Sequence, residues 1–520
     1  MRLIAFYLPQ FHPIPENDQW WGKGFTEWTN VARARPLFAG HYQPHVPADL
    51  GFYDLRLPEI RQAQADLAEE YGISAFCYYH YWFNGRRLLE RPFNDVLEAG
   101  EPRLPFCLCW ANENWTRRWD GNDQHVLIAQ KYGEDDDREH IRWLLNAFRD
   151  PRYLRIEGKP LFLVYRTMWM PDPLRTTAIW REEAHTSGVG ELFLCRVESS
   201  VYEHHDPKRV GFDAAVEFQP DWSRRGVPLR RRKGSNIYDY AAVVDAALAK
   251  KPSPYRRFPC VTPGWDNSPR RERGATIITG STPELYGDWL RQVLARTVAS
   301  GDHEQLVFIN GWNEWAEGNH LEPCRQWGRA YLEATRTALA NFRTSPTPMR
   351  PGPESPTERS EPTVRSMVRS AQSSMRDILG EIQAGLEQGH AELAAAMVEL
   401  DYSERLERAI EEITALVPRA ESLILVDDGE WRTDIVPDRR VFPFLERDGY
   451  YWGRPADDAA AIQELERLRQ QAPAFMVFGW PAFWWLEHYA GLHRHVRSKF
   501  PCVLDNDRVI AFDLRAREMS

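Results

Sequence analysis

Two glutamates placed three residues apart, Glu314 and Glu317, are the side chains of this sequence best suited to catalysis. They belong to the run Gly-Trp-Asn-Glu-Trp-Ala-Glu-Gly at 311–318, in which Glu314 lies between two tryptophans. Cleavage of a glycosidic bond needs one protonated and one ionised carboxyl, and neighbouring carboxyls beside apolar rings have separated pKa values. The pair therefore predicts a site that acts on sugars, with a solvated turn as the alternative.

Aromatic and polar side chains also follow the other apolar runs of the chain. With 21 Trp in 520 residues, the sequence has more flat apolar faces than one motif requires, although core packing explains any single ring equally well. On the residues alone, Glu113, Glu198 and Glu217 remain alternative catalytic carboxylates. The predicted sugar-binding residues are Tyr7, Gln10, His12, His80, Tyr81, Trp82, Trp110, Asn112, Glu113, Trp115, Arg166, Glu217, Trp265, Asp266, Trp312, Asn313 and Trp315.

Eight short apolar runs would position these residues. Between them lie stretches long enough for a helix, which is typical of parallel βα units that are buried on both faces. Eight such strands close a barrel whose active site lies at the carboxyl ends of the strands. The sequence therefore predicts an α/β protein with a (β/α)₈ TIM barrel over 1–343. The runs are 2–8, 73–79, 104–110, 161–166, 191–197, 213–218, 259–264 and 306–311.

The composition changes after the predicted barrel. Residues 344–363 are rich in Pro, Ser and Thr and predict a linker. Residues 364–418 predict a helical segment with leucines at seven-residue intervals, which would either pair as a coiled coil in a homodimer or pack against its own chain. Residues 419–520 predict a small α/β accessory domain, and they contain neither a GxGxxG motif nor a P-loop.

Charge and composition exclude several classes of function. The net charge of −10 gives no reason to expect nucleic acid, and no apolar run is long enough to predict a transmembrane segment. The absence of a signal-peptide pattern and the seven scattered cysteines predict a cytoplasmic protein. Ligand spacing predicts no metal and no cofactor. The basic run at 224–234 is a solvated loop or, if functional, a phosphate site for a lipid-linked glycan or a nucleotide sugar.

Five separated motifs closely resemble the glycoside hydrolase family 99-like, or WbsX-like, proteins of bacterial surface-polysaccharide (O-antigen) clusters. The resemblance covers about 1–340 and is carried by YLPQFHP, WWGKGFTEWTNV, CYYHYWF, WANENWTRRWDG and GWNEWAEG. It implies a (β/α)₈ barrel without a metal that cleaves α-mannosides within a glycan chain and retains the anomeric configuration.

The resemblance also implies roles for the two glutamates. Glu314 would remove the proton of the sugar 2-hydroxyl to form a 1,2-anhydro sugar, and Glu317 would act first as acid and then as base. Many WbsX-like relatives are named as glycosyltransferases, so a transferase of surface-polysaccharide biosynthesis is the alternative. A non-catalytic glycan-binding scaffold is the second alternative.

Overall fold

The computed structural model describes most of the chain. The described residues are 1–117, 122–199, 203–221, 228–232, 235–271, 274–344, 405–428, 431, 436, 438–447, 450–451 and 453–515.

Eight parallel strands in the first 310 residues form one closed sheet, in which each strand pairs with the next and the eighth pairs with the first. The (β/α)₈ barrel predicted from the sequence is thereby confirmed, since every predicted run contains a strand. The strands are β1 (Arg2–Tyr7), β2 (Ile73–Phe83), β3 (Phe106–Trp110), β4 (Lys159–Val164), β5 (Phe193–Glu198), β6 (Ala214–Glu217), β7 (Arg257–Phe258 and Cys260–Val261) and β8 (Leu306–Ile309).

Strand β7 closes the barrel in two pieces. Its first piece pairs with β6 and its second piece pairs with β8. The interruption falls at Pro259, which has no N–H to donate, while its carbonyl accepts a hydrogen bond from the Phe308 amide at 2.8 Å. The proline therefore interrupts strand pairing without opening the barrel.

Helices surround the barrel and begin at ordinary capping signals. The side chains of Asp172, Asp239 and Thr282 each accept a hydrogen bond from a backbone amide in the first turn of the helix that follows. Between β5 and β6 the described residues form a 3₁₀ turn, Pro207–Val210. The helices are α1 (Pro15–Trp21), α2 (Glu27–Arg33), α3 (Pro58–Glu70), α4 (Arg91–Ala99), α5 (Glu134–Phe148), α6 (Pro173–Thr186), α7 (Tyr240–Leu248), α8 (Pro283–Ala299) and α9 (Ala330–Thr344).

Small sheets in the connecting loops build walls around the carboxyl ends of the barrel strands. A hairpin of Trp115–Arg117 and Asn122–Ile128 follows β3. A four-stranded sheet follows β6 and β7, and it contains Arg230–Arg232, Ser235–Asp239, Thr276–Thr279 and Trp265–Asp266 in that order. Shorter strands are Arg86–Leu88 beside β2, Arg155–Ile156 beside β4, and the pair Asn313–Glu314 and Asn319–His320.

A second, five-stranded sheet lies in the C-terminal part of the chain. In the order in which they pair, its strands are Arg440–Pro443, Ser422–Val426, Phe475–Gly479, Val509–Asp513 and Cys502–Asp505, and the last two are antiparallel to their neighbours. Both faces of the sheet are buried: Ile424 packs toward the helices Asp458–Arg469 and Ala490–Lys499, and the neighbouring Leu423 packs on the other face toward a helix at 405–416. The elements are β9 (Ser422–Val426), β10 (Arg440–Pro443), α11 (Asp458–Arg469), β11 (Phe475–Gly479), α12 (Trp485–His488), α13 (Ala490–Lys499), β12 (Cys502–Asp505) and β13 (Val509–Asp513), with α10 at 405–416 and the two-residue pair Glu446–Arg447 and Tyr450–Tyr451.

Three sequence predictions fall largely outside the described residues, among them the basic run 224–234, of which only 228–232 are described. The predicted linker 344–363 is described only at Thr344, where α9 ends, and the predicted helical segment 364–418 only from 405. Among the helices that are described, none combines the length and the apolar character needed to cross a membrane.

We predict that a fragment of residues 1–344 folds without the C-terminal sheet. All eight barrel strands pair within residues 2–309, and α9 packs on α8, so the barrel core is complete before residue 345. Circular dichroism should show a helical and strand content consistent with the barrel, and thermal unfolding should be a single cooperative transition. Non-cooperative melting of the fragment beside a cooperative full-length chain would contradict this expectation.

Candidate active site

A cleft of about 940 Å³ opens where the barrel strands end. This volume lies near the top of the range of about 300–1,000 Å³ that small-ligand sites occupy, so the cleft is large for a single sugar ring. Tyrosine and tryptophan rings and charged groups both line its walls. The predicted residues that line it are Gln10, Tyr81, Glu113, Trp115, Arg166, Trp265, Glu314 and Glu317.

The loop after β8 folds into a small hairpin that presents the two glutamates. Asn313 pairs with His320 and Glu314 with Asn319, and a 3₁₀ turn from Trp315 to Glu317 connects the two short strands. Gly318 ends this turn with φ +56°, where an added Cβ would lie 3.0 Å from the Asp266 side chain. A glycine therefore fits here for both conformational and steric reasons.

Two buried asparagines fix the hairpin to the barrel. The Asn313 amide group donates to the Leu8 carbonyl at 3.0 Å and accepts from the Leu8 N–H at 2.7 Å. The Asn319 side-chain oxygen accepts hydrogen bonds from the Gly311 amide and the Thr262 hydroxyl, both at 2.9 Å. The loop after the last strand is thus held by the ends of β1 and β7.

One guanidinium joins three carboxylates at the centre of the site. Arg270, in a 3₁₀ turn after β7, bonds to Glu314 at 2.9 Å and to Glu317 at 2.5 Å. Its Nε donates to Glu27 at 2.6 Å, and the amide of Gln10 donates to the other Glu27 oxygen at 3.2 Å. The cluster therefore carries more negative than positive charge.

This arrangement makes Glu314 a weak acid. Burial raises its pKa to about 8; Arg270 opposes the shift, whereas the negative charges of Glu317 and Glu27 add to it. The side chain of Glu314 is 7% exposed and that of Glu317 is 17% exposed, so Glu314 is the more desolvated of the two. A carboxyl with such a pKa exchanges its proton near neutral pH, as a general acid or base must.

A further buried carboxylate supports the hairpin from below. Glu322 accepts hydrogen bonds from Trp315 Nε1 at 2.6 Å, Tyr53 Oη at 2.8 Å and Gln64 Nε2 at 2.6 Å. Burial raises the pKa of Glu322 to about 7, although these hydrogen bonds lower it. Trp315 in turn stacks on His320 with ring centroids 3.8 Å apart. Trp315 is therefore part of the support and does not line the cleft.

Other predicted residues lie behind the cleft wall because side chains alternate along a strand. On β2, Tyr79 and Tyr81 line the cleft, whereas His80 and Trp82 point to α5. His80 stacks on Trp143 at 4.8 Å, and the indole of Trp82 donates to Asp136 at 2.8 Å. The sequence prediction for this strand took successive residues, of which the structure brings only Tyr81 into the site.

Several more predicted residues are structural in this arrangement. Trp110 and Trp312 are fully buried in the barrel core, Tyr7 donates to Gln64 at 2.7 Å, and burial lowers the pKa of His12 to about 4. Asn112 bonds both backbone groups of Arg166, at 2.7 and 2.8 Å. Asp266 accepts from Gln43 at 2.7 Å and contacts His41 at 2.6 Å, so it fixes the loop that carries Arg270.

The structure distinguishes the three alternative catalytic carboxylates by whether they line the cleft. Glu198 and Glu217 contact Arg257, at 3.4 and 3.9 Å, and Glu217 also pairs with Lys250; neither glutamate lines the cleft. Glu113 does line it and pairs with Arg166 at 3.1 Å. Glu314 and Glu317, by contrast, both form ion pairs with Arg270.

Sequence reasoning missed Glu27 and Arg270, which complete the cluster. Glu27 lies in the quoted motif WWGKGFTEWTNV and precedes a tryptophan, as Glu314 does. The rings of Trp28 and Trp315 lie 5.5 Å apart, so the two Glu-Trp pairs are neighbours in space. This repeated dipeptide was the available signal for Glu27. Arg270 had none, because it lies in a basic stretch of ordinary appearance.

Within the part of the chain that the structure describes, no group of three or more His, Cys, Asp or Glu side chains has the geometry to hold a metal ion.

Comparison with known proteins identifies the family. The model of the family described as glycosyltransferase WbsX matches residues 3–335. Proteins named WxcX from two strains of Xanthomonas campestris pv. campestris are each 48% identical over 344 residues, which is 65% of this chain and 49% of theirs. The matched part thus spans about half the length of these curated relatives.

Among solved structures, the GH99 endo-α-mannosidase from Bacteroides thetaiotaomicron is similar with a TM-score of 0.42 and 16% sequence identity. The superposition covers 66% of this chain and 97% of that one.

Fold and cleft together define a (β/α)₈ barrel protein with a cluster of carboxylates at the carboxyl ends of its strands. The chain belongs to the WbsX family, and the resemblance drawn from its motifs is confirmed.

We predict that Glu322→Ala destabilises the protein by about 3 kcal/mol, because three buried donors would lose their acceptor. Glu322→Gln should cost less, since its amide retains the shape and one acceptor. Denaturant unfolding measures the free energy of unfolding of both variants.

The raised pKa of Glu322 also means that the folded state binds more protons than the unfolded state between about pH 4.5 and 7. Wild-type stability should therefore fall as pH rises through this window, and both variants should show a flatter profile; an unchanged slope would contradict the assignment.

Proposed function

We propose that the protein is a retaining glycosidase that cleaves α-mannoside-like bonds within a glycan chain, during assembly or remodelling of a bacterial surface polysaccharide. The observation that carries this proposal is the pair Glu314 and Glu317 held on Arg270 in an open, aromatic cleft. Two carboxyls in one cleft, one of them with a raised pKa, are the components that glycosidic cleavage requires.

In the proposed first step, ionised Glu314 takes the proton of the sugar 2-hydroxyl. The freed oxygen attacks the anomeric carbon and forms a 1,2-anhydro ring, while the bond to the leaving oxygen breaks. Glu317 gives its proton to that leaving oxygen. A base whose pKa lies near the working pH suits this step, because it accepts a proton readily and is still partly ionised.

In the proposed second step, Glu317 takes a proton from water as the water attacks the anomeric carbon. The anhydro ring opens, and Glu314 returns its proton to the 2-oxygen. Two successive displacements at one carbon give net retention. If the hydroxyl of an acceptor glycan replaces water, the same residues transfer the sugar.

Arg270 has to release Glu317 before that carboxyl can act as an acid, since the guanidinium occupies one of its oxygens at 2.5 Å. Glu27 provides a place for the guanidinium, because it is fully buried and already bonds Arg270 at 2.6 Å. We infer that substrate hydroxyls replace Arg270 at Glu317, while Glu27 keeps the guanidinium inside the cluster.

A glycosyltransferase is the second candidate function, favoured by the description of the WbsX family. The proposed substrate is an oligo- or polysaccharide that is lipid-linked during assembly, and the proposed location is the cytoplasm. Six of the seven cysteines are buried and unpaired in the described structure, which supports a reducing compartment. A homodimer that pairs through 364–418 is proposed from the heptad spacing alone. The remaining alternative, a non-catalytic glycan-binding scaffold, would show neither hydrolysis nor transfer.

We predict different leaving-group dependence for the two glutamine variants. Glu317→Gln should lose about 10²- to 10⁴-fold activity on a substrate with a sugar leaving group but much less on an activated aryl α-mannoside, which needs little protonation. Glu314→Gln should lose activity on both, because the internal nucleophile is never formed. Steady-state kinetics on the two substrates measure this difference.

Glu113→Gln is the matched control, since Glu113 is a carboxylate of the same cleft that pairs with Arg166 instead of Arg270. Equal leaving-group dependence in both variants, or normal turnover of a 2-deoxy substrate, would remove the proposed roles. Activity only in the presence of a sugar nucleotide would favour the transferase.

We predict that kcat/KM rises with pH through about 8, because Glu314 must be ionised to act as a base and its pKa is raised to that value. Glu27→Gln removes a negative charge that raises this pKa, so the acidic limb of the profile should move to lower pH. The Glu113→Gln variant should leave the limb in place. A limb that stays fixed or moves to higher pH in Glu27→Gln would contradict the proposed base.

A further inference from the structure

The C-terminal sheet, separated from the barrel by more than 75 residues of sequence, forms part of the cleft wall. The segment 454–456 and the residues Trp484, His488 and Tyr489 line the same cavity as Glu314 and Glu317. Their hydrogen bonds in the described structure include ones to one another and to neighbouring residues of the C-terminal part: Arg454 bonds to Asp428, and Tyr489 donates to the Pro455 carbonyl. Nothing in the barrel chemistry accounts for their presence there.

A row of alternating cations and rings crosses from the barrel to the C-terminal sheet. The Arg166 guanidinium lies 5.5 Å from the centre of the Trp169 ring, and Arg454 lies 5.4 Å from the same ring. Arg454 also lies 4.7 Å from the ring of Trp484. Such contacts are attractive because the ring face is electron-rich. The row Arg166–Trp169–Arg454–Trp484 thus joins the two parts of the chain at the cleft.

The backbone approach at this boundary is close. Gly453 has φ +105°, and an added Cβ would lie 1.8 Å from the Met168 carbonyl oxygen. No side chain fits there without displacing the backbone. The glycine therefore allows Arg454 to reach Trp169, which indicates a built contact between the two parts.

Both arginines of the row are held and neutralised. Asp428 accepts from Nε of Arg454 at 2.7 Å and from its Nη2 at 2.5 Å, and Glu113 accepts from Nε of Arg166 at 3.1 Å. The guanidinium groups are thereby fixed in orientation while their net charge is balanced. This wall offers rings and fixed donors with little excess charge, which suits an uncharged polyhydroxy ligand better than a phosphate.

We propose that Trp169, Arg454, Trp484 and His488 form an outer subsite that binds sugar units of the glycan remote from the bond that is cleaved. The inference rests on the proposed glycan function and adds a role for the C-terminal sheet. Pyranose rings bind to tryptophan faces through their apolar C–H surface, and their hydroxyls accept from fixed guanidinium donors. The cleft volume of about 940 Å³ accommodates more than the sugar at Glu314 and Glu317.

The test measures how affinity depends on the length of the oligosaccharide, and it uses the full-length Glu317→Gln protein, in which turnover is expected to be about 10²- to 10⁴-fold slower. Calorimetry with α-mannooligosaccharides of increasing length should show affinity that rises with length. Adding Trp484→Ala should weaken binding of the long members about 10-fold and leave the shortest unchanged. Trp484→Phe should restore most of the affinity, and His488→Ala, an exposed residue, tests the subsite without risk to the fold. Glu487→Ala, exposed on the same helix but outside the cleft, is the control.

The outcomes separate this subsite from the proposed function. Equal length dependence with and without Trp484→Ala, in variants with unchanged melting temperature, would overturn the subsite and leave the mannoside proposal intact. Parallel titrations with glucan and galactan oligosaccharides test the converse case, in which the subsite exists but the proposed sugar is wrong. If only one of those series binds, and Trp484→Ala removes its length dependence, the subsite stands and the proposed sugar is wrong. Absence of binding to every series would contradict both.

Discussion

The site depends on an imbalance of charge, because the single guanidinium of Arg270 is shared by three carboxylates, two of which are buried. A buried guanidinium normally balances one carboxylate, and removal of either partner is costly. Here Glu27, Glu314 and Glu317 exceed the single positive charge, so the cluster favours either a bound proton or hydroxyl donors from a ligand. The excess of negative charge contributes to the raised pKa of Glu314 in the free protein. The asparagines, Asp266 and Glu322 hold the surrounding loops so that the imbalance persists.

The barrel and the glutamate pair could be predicted because their signals are local. A strand that is buried on both faces appears as a continuous apolar run, and Glu314 and Glu317 follow the last such run directly. The direction in which side chains point near the end of a strand was harder to predict from the sequence. Since β2 continues to Phe83, the alternation of the strand decides that Tyr81 faces the cleft and Trp82 faces α5. Its sequence does not show where the strand stops.

Arg270 and the C-terminal wall could not be predicted for a different reason. Their positions depend on long connections that fold over the barrel, where no periodic pattern relates a residue to a strand end. Glu27 begins α2, in the long connection between β1 and α3, and Arg270 lies in the connection between β7 and α8, yet the two side chains meet at 2.6 Å. Arg454 is more distant still in sequence, and its contact with Trp169 depends on a close backbone approach at Gly453.

The double hydrogen bond between Asn313 and Leu8 joins groups that are 305 residues apart in sequence. Contacts of such separation are formed late, because the entropy of closing a long loop has to be overcome first. During synthesis on the ribosome, β1 emerges long before the hairpin that Asn313 anchors. It can pair with β2 early, but its other partner, β8, becomes available only after most of the barrel has been synthesised. The hairpin that carries Glu314 and Glu317 is consequently assembled by the same event that completes the barrel, so an incompletely translated chain has the cleft walls of the earlier strands but not this pair of carboxylates.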